Sequence, residues 1–506
     1  MATQSMTPAQ ALEAARTYFP SFLRSREKAL KVDSWINGKQ YEHSSDLDPD
    51  DPFFGQAFAP RAQATNAEYD NLRSLSPNAF GGLIVASLAQ TAYLTGIRRP
   101  GQDTLPIWNT FERNRWGQRQ VAVHRTAIGH GIAYGTVLPG EDPLTGSPMS
   151  KMLGKSPLQM AAFYDEDDDE FPHLAIEAKK VRVDPFRNDI GGLTTDGWNV
   201  KLYDVGVIHR LRCRGLGGGE DDWEYVDSIP HGMPIVPIAR CVNRIDLEGR
   251  TTGEIEPVLP ILRRIDQDLF DRLIQQRFGA WQVRYISGMA KPASGDAQAE
   301  KLRLSVEDIL VSSNPDTKFG VLPAGSTSDA VSVTDADLRL LSAITQMPPH
   351  HLLGVSSNLQ AEALAAAEQG LQRKAFDFRT NASEFHEQMA RLAAIAEGDL
   401  VTAAAFDLQT AWRDTESRSF AQTAQALGVL ATQLKVPLEM LWEQIPNWTD
   451  TDVERARQLV ENGSIEELLN QLIPTTDQGQ QQGQPGQQDQ GQQQGGQGGN
   501  PVTGAA

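Results

Sequence analysis

The feature that most limits how this chain can fold is an apolar stripe in its last third. Leu364, Ala367, Leu371, Ala375, Phe378, Ala382, Phe385, Met389, Leu392 and Ala396 recur at intervals of three and four residues. That spacing lines one face of an α-helix. Sustained over roughly 40 residues, it predicts a heptad-like rod of about 60 Å at 1.5 Å per residue. Ser357 and Gln360 stand at capping-box spacing just before it.

A second stripe, Val258, Ile261, Leu262, Ile265, Leu269, Leu273 and Phe278, predicts another helix, with Pro257 and Pro260 near its start. The first third also reads as helical. Thr7 before Pro8 is a cap and first-turn pair. Residues 75–96 read as a small-residue helix ending at Gly96, and 104–140 carry apolar residues at helical spacing up to a Gly-rich end. Between these blocks, 160–245 alternates and is rich in Val, Ile and Tyr. It reads as antiparallel strands joined at "NDIGG" (188–192) and "GLGGGED" (215–221). Residues 280–333 form a short mixed insert with strand-like pieces ("WQVRYISG", "DILVSS", "KFGVLP"). A short helix over 334–346 follows, with Thr334 as cap and Asp337 as first-turn acid. Residues 417–473 read as several short helices, the last opening on the pair Ser464 and Glu467. From Thr475 onward Gln and Gly dominate, a composition that builds no core and reads as a disordered tail. The fold class is α+β, mainly helical.

Composition bounds the function. A chain of 506 residues has room for two to four domains. A formal net charge of −19 excludes a protein that clamps DNA phosphates over its whole surface. Cys213 and Cys241 are too few for a disulfide scaffold, so a reducing cytoplasm is the default reading. The first twenty residues lack the basic and apolar regions of a signal peptide. No run approaches the ~18 uninterrupted apolar residues of a membrane-spanning helix.

Three stretches could carry chemistry. The acidic run "DEDDDE" (165–170) has no Gly turn to converge its carboxylates on a cation, and reads as a solvated turn. "RGLGGGED" lacks the Lys-Ser or Lys-Thr of a phosphate-binding loop and lies between strands, so it reads as a hairpin tip. In "TQMPPHHLLGVSS", His350 and His351 are adjacent, a spacing that zinc motifs do not use, and no CxxC or HExxH occurs. No catalytic residues, metal site or cofactor are expected. Pro348 and Pro349 must break the helical path, making Met347–Gly354 a constrained loop between two helices.

Two segments together resemble the portal, or head-to-tail connector, proteins of tailed bacteriophages with long non-contractile tails. In "HGMPIVPIARCVNRIDLEGRTTGEIEPVLPILRRIDQDLFDRLIQQRFGAW" (231–281), a Pro-rich strand leads to an Asn-Arg turn and then a Gly-Glu that opens a helix. In "ITQMPPHHLLGVSSNLQAEALAAAEQGLQRKAFDFR" (344–379), a Pro-Pro-x-x-Leu-Leu-Gly loop precedes an Ala/Glu-rich helix. The resemblance implies a ring, normally of twelve subunits, at one capsid vertex, through which double-stranded DNA is packaged and ejected. It places residues 1–255 in a wing, 256–279 in a first stem helix, 280–333 in a clip and 334–346 in a second stem helix. Residues 347–358 become a channel loop, 359–409 a long wing helix and 410–473 a helical crown, with the tail over 474–506. The DNA-facing candidates are then Met347, Pro348, Pro349, His350, His351, Leu352, Leu353 and Gly354, and the first stem helix carries Arg263, Arg264, Asp268 and Arg272. The implied partners are other copies of the chain, double-stranded DNA held weakly and without sequence preference, and a terminase packaging motor. A head-completion or tail adaptor and the major capsid and scaffolding proteins complete the set. No membrane partner and no enzymatic activity are implied. The implied location is the virion portal vertex, after assembly in the host cytoplasm. The alternative from another class is an acidic scaffold or adaptor of the virion without a DNA conduit; a further one is an enzyme with an unrecognised site.

Overall fold

Thr7 opens the first helix, α1 (Pro8–Ile36), in a reciprocal cap. Its hydroxyl accepts from the Gln10 amide while the Gln10 side chain accepts from the Thr7 amide. The computed structural model describes residues 5–40, 72–100, 105–165, 170–181, 197–215, 219–280, 284–287, 318–321, 327–354, 361–413, 420–442, 445 and 450–461. The segment 188–192, the strand-like "DILVSS", the pairs Ser357–Gln360 and Ser464–Glu467, most of the acidic run and the Gln/Gly tail lie outside these residues.

The helix expected over 75–96 is shorter than its composition suggests. Helix α2 ends at Ala89 (Phe80–Ala89), and Leu94–Arg98 forms strand β1, with Gly96 inside it. β1 pairs antiparallel with Gln409–Trp412, and the Gln120 side chain bonds both the amide and the carbonyl of Leu94 at 2.8 and 3.0 Å. Those remote partners satisfy an extended backbone that local spacing could not reveal. Residues 104–140 divide into α3 (Trp108–Arg113), α4 (Trp116–His130) and strand β2 (Ile132–Leu138). The breaks fall at two left-handed residues, Arg115 (φ 54°) and Gly131 (φ 92°).

The expected β region is present. Strands β3 (Lys151–Lys155), β4 (Met160–Phe163), β5 (Leu174–Val181), β6 (Gly197–Tyr203), β7 (Val207–Arg214), β8 (Trp223–Pro230) and β9 (Ile238–Val242) follow in order. β4 to β8 form a five-stranded antiparallel meander, and β2 sits between β3 and β9 in a second sheet. Alternation along β6 and β7 sends Trp198, Val200, Leu202, Leu211 and Cys213 into one core. The near half of α1 covers that face with Ala11, Ala15, Phe19 and Phe22. The Phe19 ring stands edge-on to Trp223 at 5.1 Å and to Trp198 at 5.8 Å. The buried Glu177 of β5 accepts from Lys155 of β3 at 2.6 Å and from the Tyr203 hydroxyl at 2.7 Å, tying the two sheets together.

A larger core holds the far end of α1 together with α2, α4, β2 and β9, and with helices α5 (Leu259–Ala280), α6 (Thr327–Thr345), α7 (Pro349–Leu353) and α8 (Ala361–Glu397). Short strands β10 (Arg284–Ser287) and β11 (Lys318–Val321) pair antiparallel between α5 and α6. α6 starts earlier than expected, at Thr327, so Thr334 is not its cap; the Thr334 hydroxyl donates within the helix to the Ala330 carbonyl at 3.0 Å. The long stripe faces the core as its spacing predicts. Ala375, Phe378, Ala382, Phe385, Met389 and Leu392 are all at most 1% exposed. A short helix α9 (Leu400–Ala403) and strand β12 (Gln409–Trp412) close this unit. The helical segment expected over 410–473 therefore does not begin at 410, because β12 pairs with β1. The second unit begins at Ser417 and contains α10 (Phe420–Gln433), α11 (Leu438–Trp442) and α12 (Asp450–Glu461). Among the described residues no helix is long and apolar enough to cross a membrane.

Candidate functional site

The Asn-Arg and Gly-Glu dipeptides meet in one place. Gly253 passes so close to the end of α4 that a Cβ would lie 2.2 Å from the Gly129 carbonyl oxygen, so only glycine fits. The next residue, Glu254, is buried and collects three partners. Asn243 donates to Oε1 at 2.9 Å, Arg244 pairs with Oε1 at 3.3 Å, and Lys374 of α8 pairs with Oε2. Lys374 also donates to the carbonyl of Thr345, the last residue of α6, at 2.8 Å. Burial lowers the Lys374 pKa, and Glu254 opposes that shift. One carboxylate thus fastens the entry to α5, the end of α6 and the middle of α8. Gln346 then takes a left-handed turn (φ 56°), and its carbonyl would lie only 3.3 Å from a Cβ on Gly370 of α8. A cavity of about 130 Å³ opens here, lined by Arg244, Ile344, Gln346 and Asp377 beside the clasp.

On α5, Arg264 is not a free cation. Its guanidinium grips Asp337 of α6 in a bidentate pair, both contacts at 2.5 Å. Asp268 is partly buried; burial and the neighbouring Asp337 raise its pKa. Arg263 and Arg272 are half-buried. The most constrained acid on α5 is instead Asp266, which is fully buried. It accepts from Gln40 and from the Asn78 backbone amide, both at 2.8 Å, and from the Asn78 side chain. These bonds anchor α5 to the N-terminal helices.

Of the eight loop candidates, three point inward. Met347 and Leu352 are packed in the main core, and Pro348 is buried, so these three are not available to DNA in the chain as folded. The helical path breaks at Gln346–Pro348 as expected, but Pro349–Leu353 then form a single helical turn, capped by Gly354 in the left-handed region (φ 64°). The His350 and His351 rings meet edge-to-face at 4.5 Å. Although zinc motifs do not use adjacent histidines, a ring nitrogen of each and a carboxylate oxygen of Glu368 on α8 all lie within 4.8 Å of one another. Burial, then the His350 charge, lowers the His351 pKa.

A second histidine pair gave no sequence signal. His124 of α4 and His386 of α8 are fully buried, with their Nε2 atoms 3.0 Å apart. The Trp116 indole N–H donates to His386 Nδ1 at 3.3 Å, and His124 Nδ1 lies 3.1 Å from the Ala92 carbonyl. The partners assign every proton: His386 carries its hydrogen on Nε2 and donates to His124, which carries its own on Nδ1.

The chain matches the family model described as "Phage portal protein, SPP1 Gp6-like" over residues 17–466. It belongs to the phage portal protein family. A portal protein of Mycobacterium phage L5 is 23% identical over 405 residues, covering 76% of this chain and 78% of that protein. The resemblance carried by the two segments is thus supported over most of the chain, and it assigns a bacteriophage structural protein of the portal type. Within this portal-family chain the two quoted segments are joined through one ion pair: Glu254 of the first, held by Asn243 and Arg244, meets Lys374 of the second, which also holds the Thr345 carbonyl.

Proposed function

We propose that this portal-family chain assembles into a closed ring, most simply of twelve copies, through which double-stranded DNA enters and leaves the capsid. In this reading α5 and α6 are the stem helices and β10 with β11 belongs to a clip facing the packaging motor. Residues 1–255 form the wing, α8 spans it, and the helices after residue 417 contribute the crown. The exposed part of Pro349–Gly354 lies at the channel. A terminase motor docks during filling and a tail adaptor afterwards, with the major capsid and scaffolding proteins around the wing. The acidic chain, at −19 per copy, repels phosphate and lets DNA slide rather than stick. The charge gives no purchase for motion, so the work comes from the separate motor.

The family match over 17–466 carries the reading. The α6 surface supports it: Val333, Leu340 and Ile344, spaced seven and four residues apart, are 51%, 43% and 48% exposed. An apolar stripe of this kind on a helix clasped to its own chain on another side calls for a neighbour. Native mass measurement on protein purified without nucleic acid tests this. A closed ring is expected; a stable monomer or dimer at micromolar concentration overturns it and favours a scaffold or adaptor. The channel assignment has its own test. Replacing both His350 and His351 with Ala should leave rings intact and impair DNA packaging or retention. Normal packaging by that variant refutes the channel role.

A further inference from the structure

We infer that His350, His351 and Glu368 form a binding site for one divalent transition-metal ion, with zinc the first ion to test. Two imidazoles and a carboxylate are a donor set that zinc takes in open sites, leaving a fourth position to water. Magnesium and calcium prefer oxygen donors, so the two nitrogens select against them.

The geometry supports the set. The three donor atoms lie within 4.8 Å of one another without an ion. Ligands of a tetrahedral zinc with bonds of ~2.1 Å stand about 3.4 Å apart, so small side-chain rotations suffice. The backbone that presents the histidines is held on both sides. Pro348 fixes the entry, the His351 amide donates to the Pro348 carbonyl at 3.0 Å, and the Gly354 amide donates to the His350 carbonyl at 3.1 Å. Among the described residues no basic side chain forms an ion pair with Glu368. All three side chains are only partly covered, which leaves a path for the ion.

The ion would join the α7 turn directly to α8, the helix that also carries Lys374 of the Glu254 clasp. The site does not depend on ring formation, since all three ligands come from one chain. The test uses the full-length protein, stripped with chelator and titrated with zinc chloride by calorimetry, with metal content read by mass spectrometry. About one zinc per chain is expected, with a raised thermal midpoint that magnesium chloride does not reproduce. Loss of outer-shell partners alone weakens metal sites roughly 10–100-fold, so His351→Ala and Glu368→Gln should each weaken zinc binding by at least about tenfold. Glu368→Gln keeps the shape of the side chain, and its circular dichroism without metal should match the native chain. Cobalt(II) bound in place of zinc should give tetrahedral absorption that both variants lose. No zinc binding at micromolar concentration overturns the site, as does binding unchanged in both variants.

Discussion

The buried pair His124–His386 makes folding stability sensitive to mild acid. Burial lowers the His124 pKa from 6.5 to about 4, and burial followed by the His124 charge holds His386 well below 6.5. Because the folded values are depressed, the unfolded chain takes up protons first as pH falls. The contribution is complete above about pH 6.5 and is lost progressively down to about pH 4, the folded value of His124. At about pH 5 the solution lies some 1.5 units below the pKa of an unfolded histidine, which costs about 2 kcal/mol for His124, and His386 adds to the loss in the same direction. The hydrogen-bond chain sharpens this: a second proton on His124 would set two N–H groups face to face at 3.0 Å, and one on His386 would face the Trp116 N–H at 3.3 Å. The assay is urea unfolding followed by tryptophan fluorescence at about pH 7 and pH 5, with His386→Phe as reference. The native chain should lose more than the roughly 2 kcal/mol that His124 alone contributes between the two conditions. The variant should be weaker at neutral pH, since Trp116 and His124 each lose a partner, but its pH dependence should fall, because one of the two buried rings no longer titrates. Equal stability of the native chain at both pH values, or an unchanged slope in the variant, would refute the reasoning.

Phe385→Asp places an unpaired carboxylate at a fully buried position of the stripe and should cost several kcal/mol; the yield of soluble, folded protein reads this. Glu254→Gln strands the buried Lys374 charge and should destabilise by about 3–5 kcal/mol, whereas adding Lys374→Met to it should recover part of the loss in a double-mutant cycle. Gly253→Ala forces a methyl against the Gly129 carbonyl and should cost about 1–3 kcal/mol in chemical denaturation.

Periodic features were legible in the sequence. The α8 stripe and the alternation of β6 and β7 each repeat a local rule many times, so one misleading residue does not hide them. Features resting on single distant partners were not. β1 looks like the end of a small-residue helix until Gln409–Trp412 pairs with it. Asp266 is one more acid on a charged helix until Gln40 and Asn78 surround it. Thr334 and Asp337 have the spacing of a cap, but tertiary packing uses Asp337 to hold Arg264 instead. The Pro-Pro-His-His stretch announced a break in the helix. It could not announce Glu368, which reaches the histidines only because α8 folds back beside α7.

The way α1 is covered also sets a timetable for synthesis. Phe19 and Phe22 leave the ribosome well before Trp198 and Trp223, which bury them and lie far downstream. At about 5–20 residues per second, the emerging helix stays uncovered for roughly 10–40 s. β1 waits longer still, for a strand near the end of its unit. The unit ending at Glu416 therefore closes late, and until then α1 is a surface that a chaperone, or a neighbouring nascent chain, can reach first.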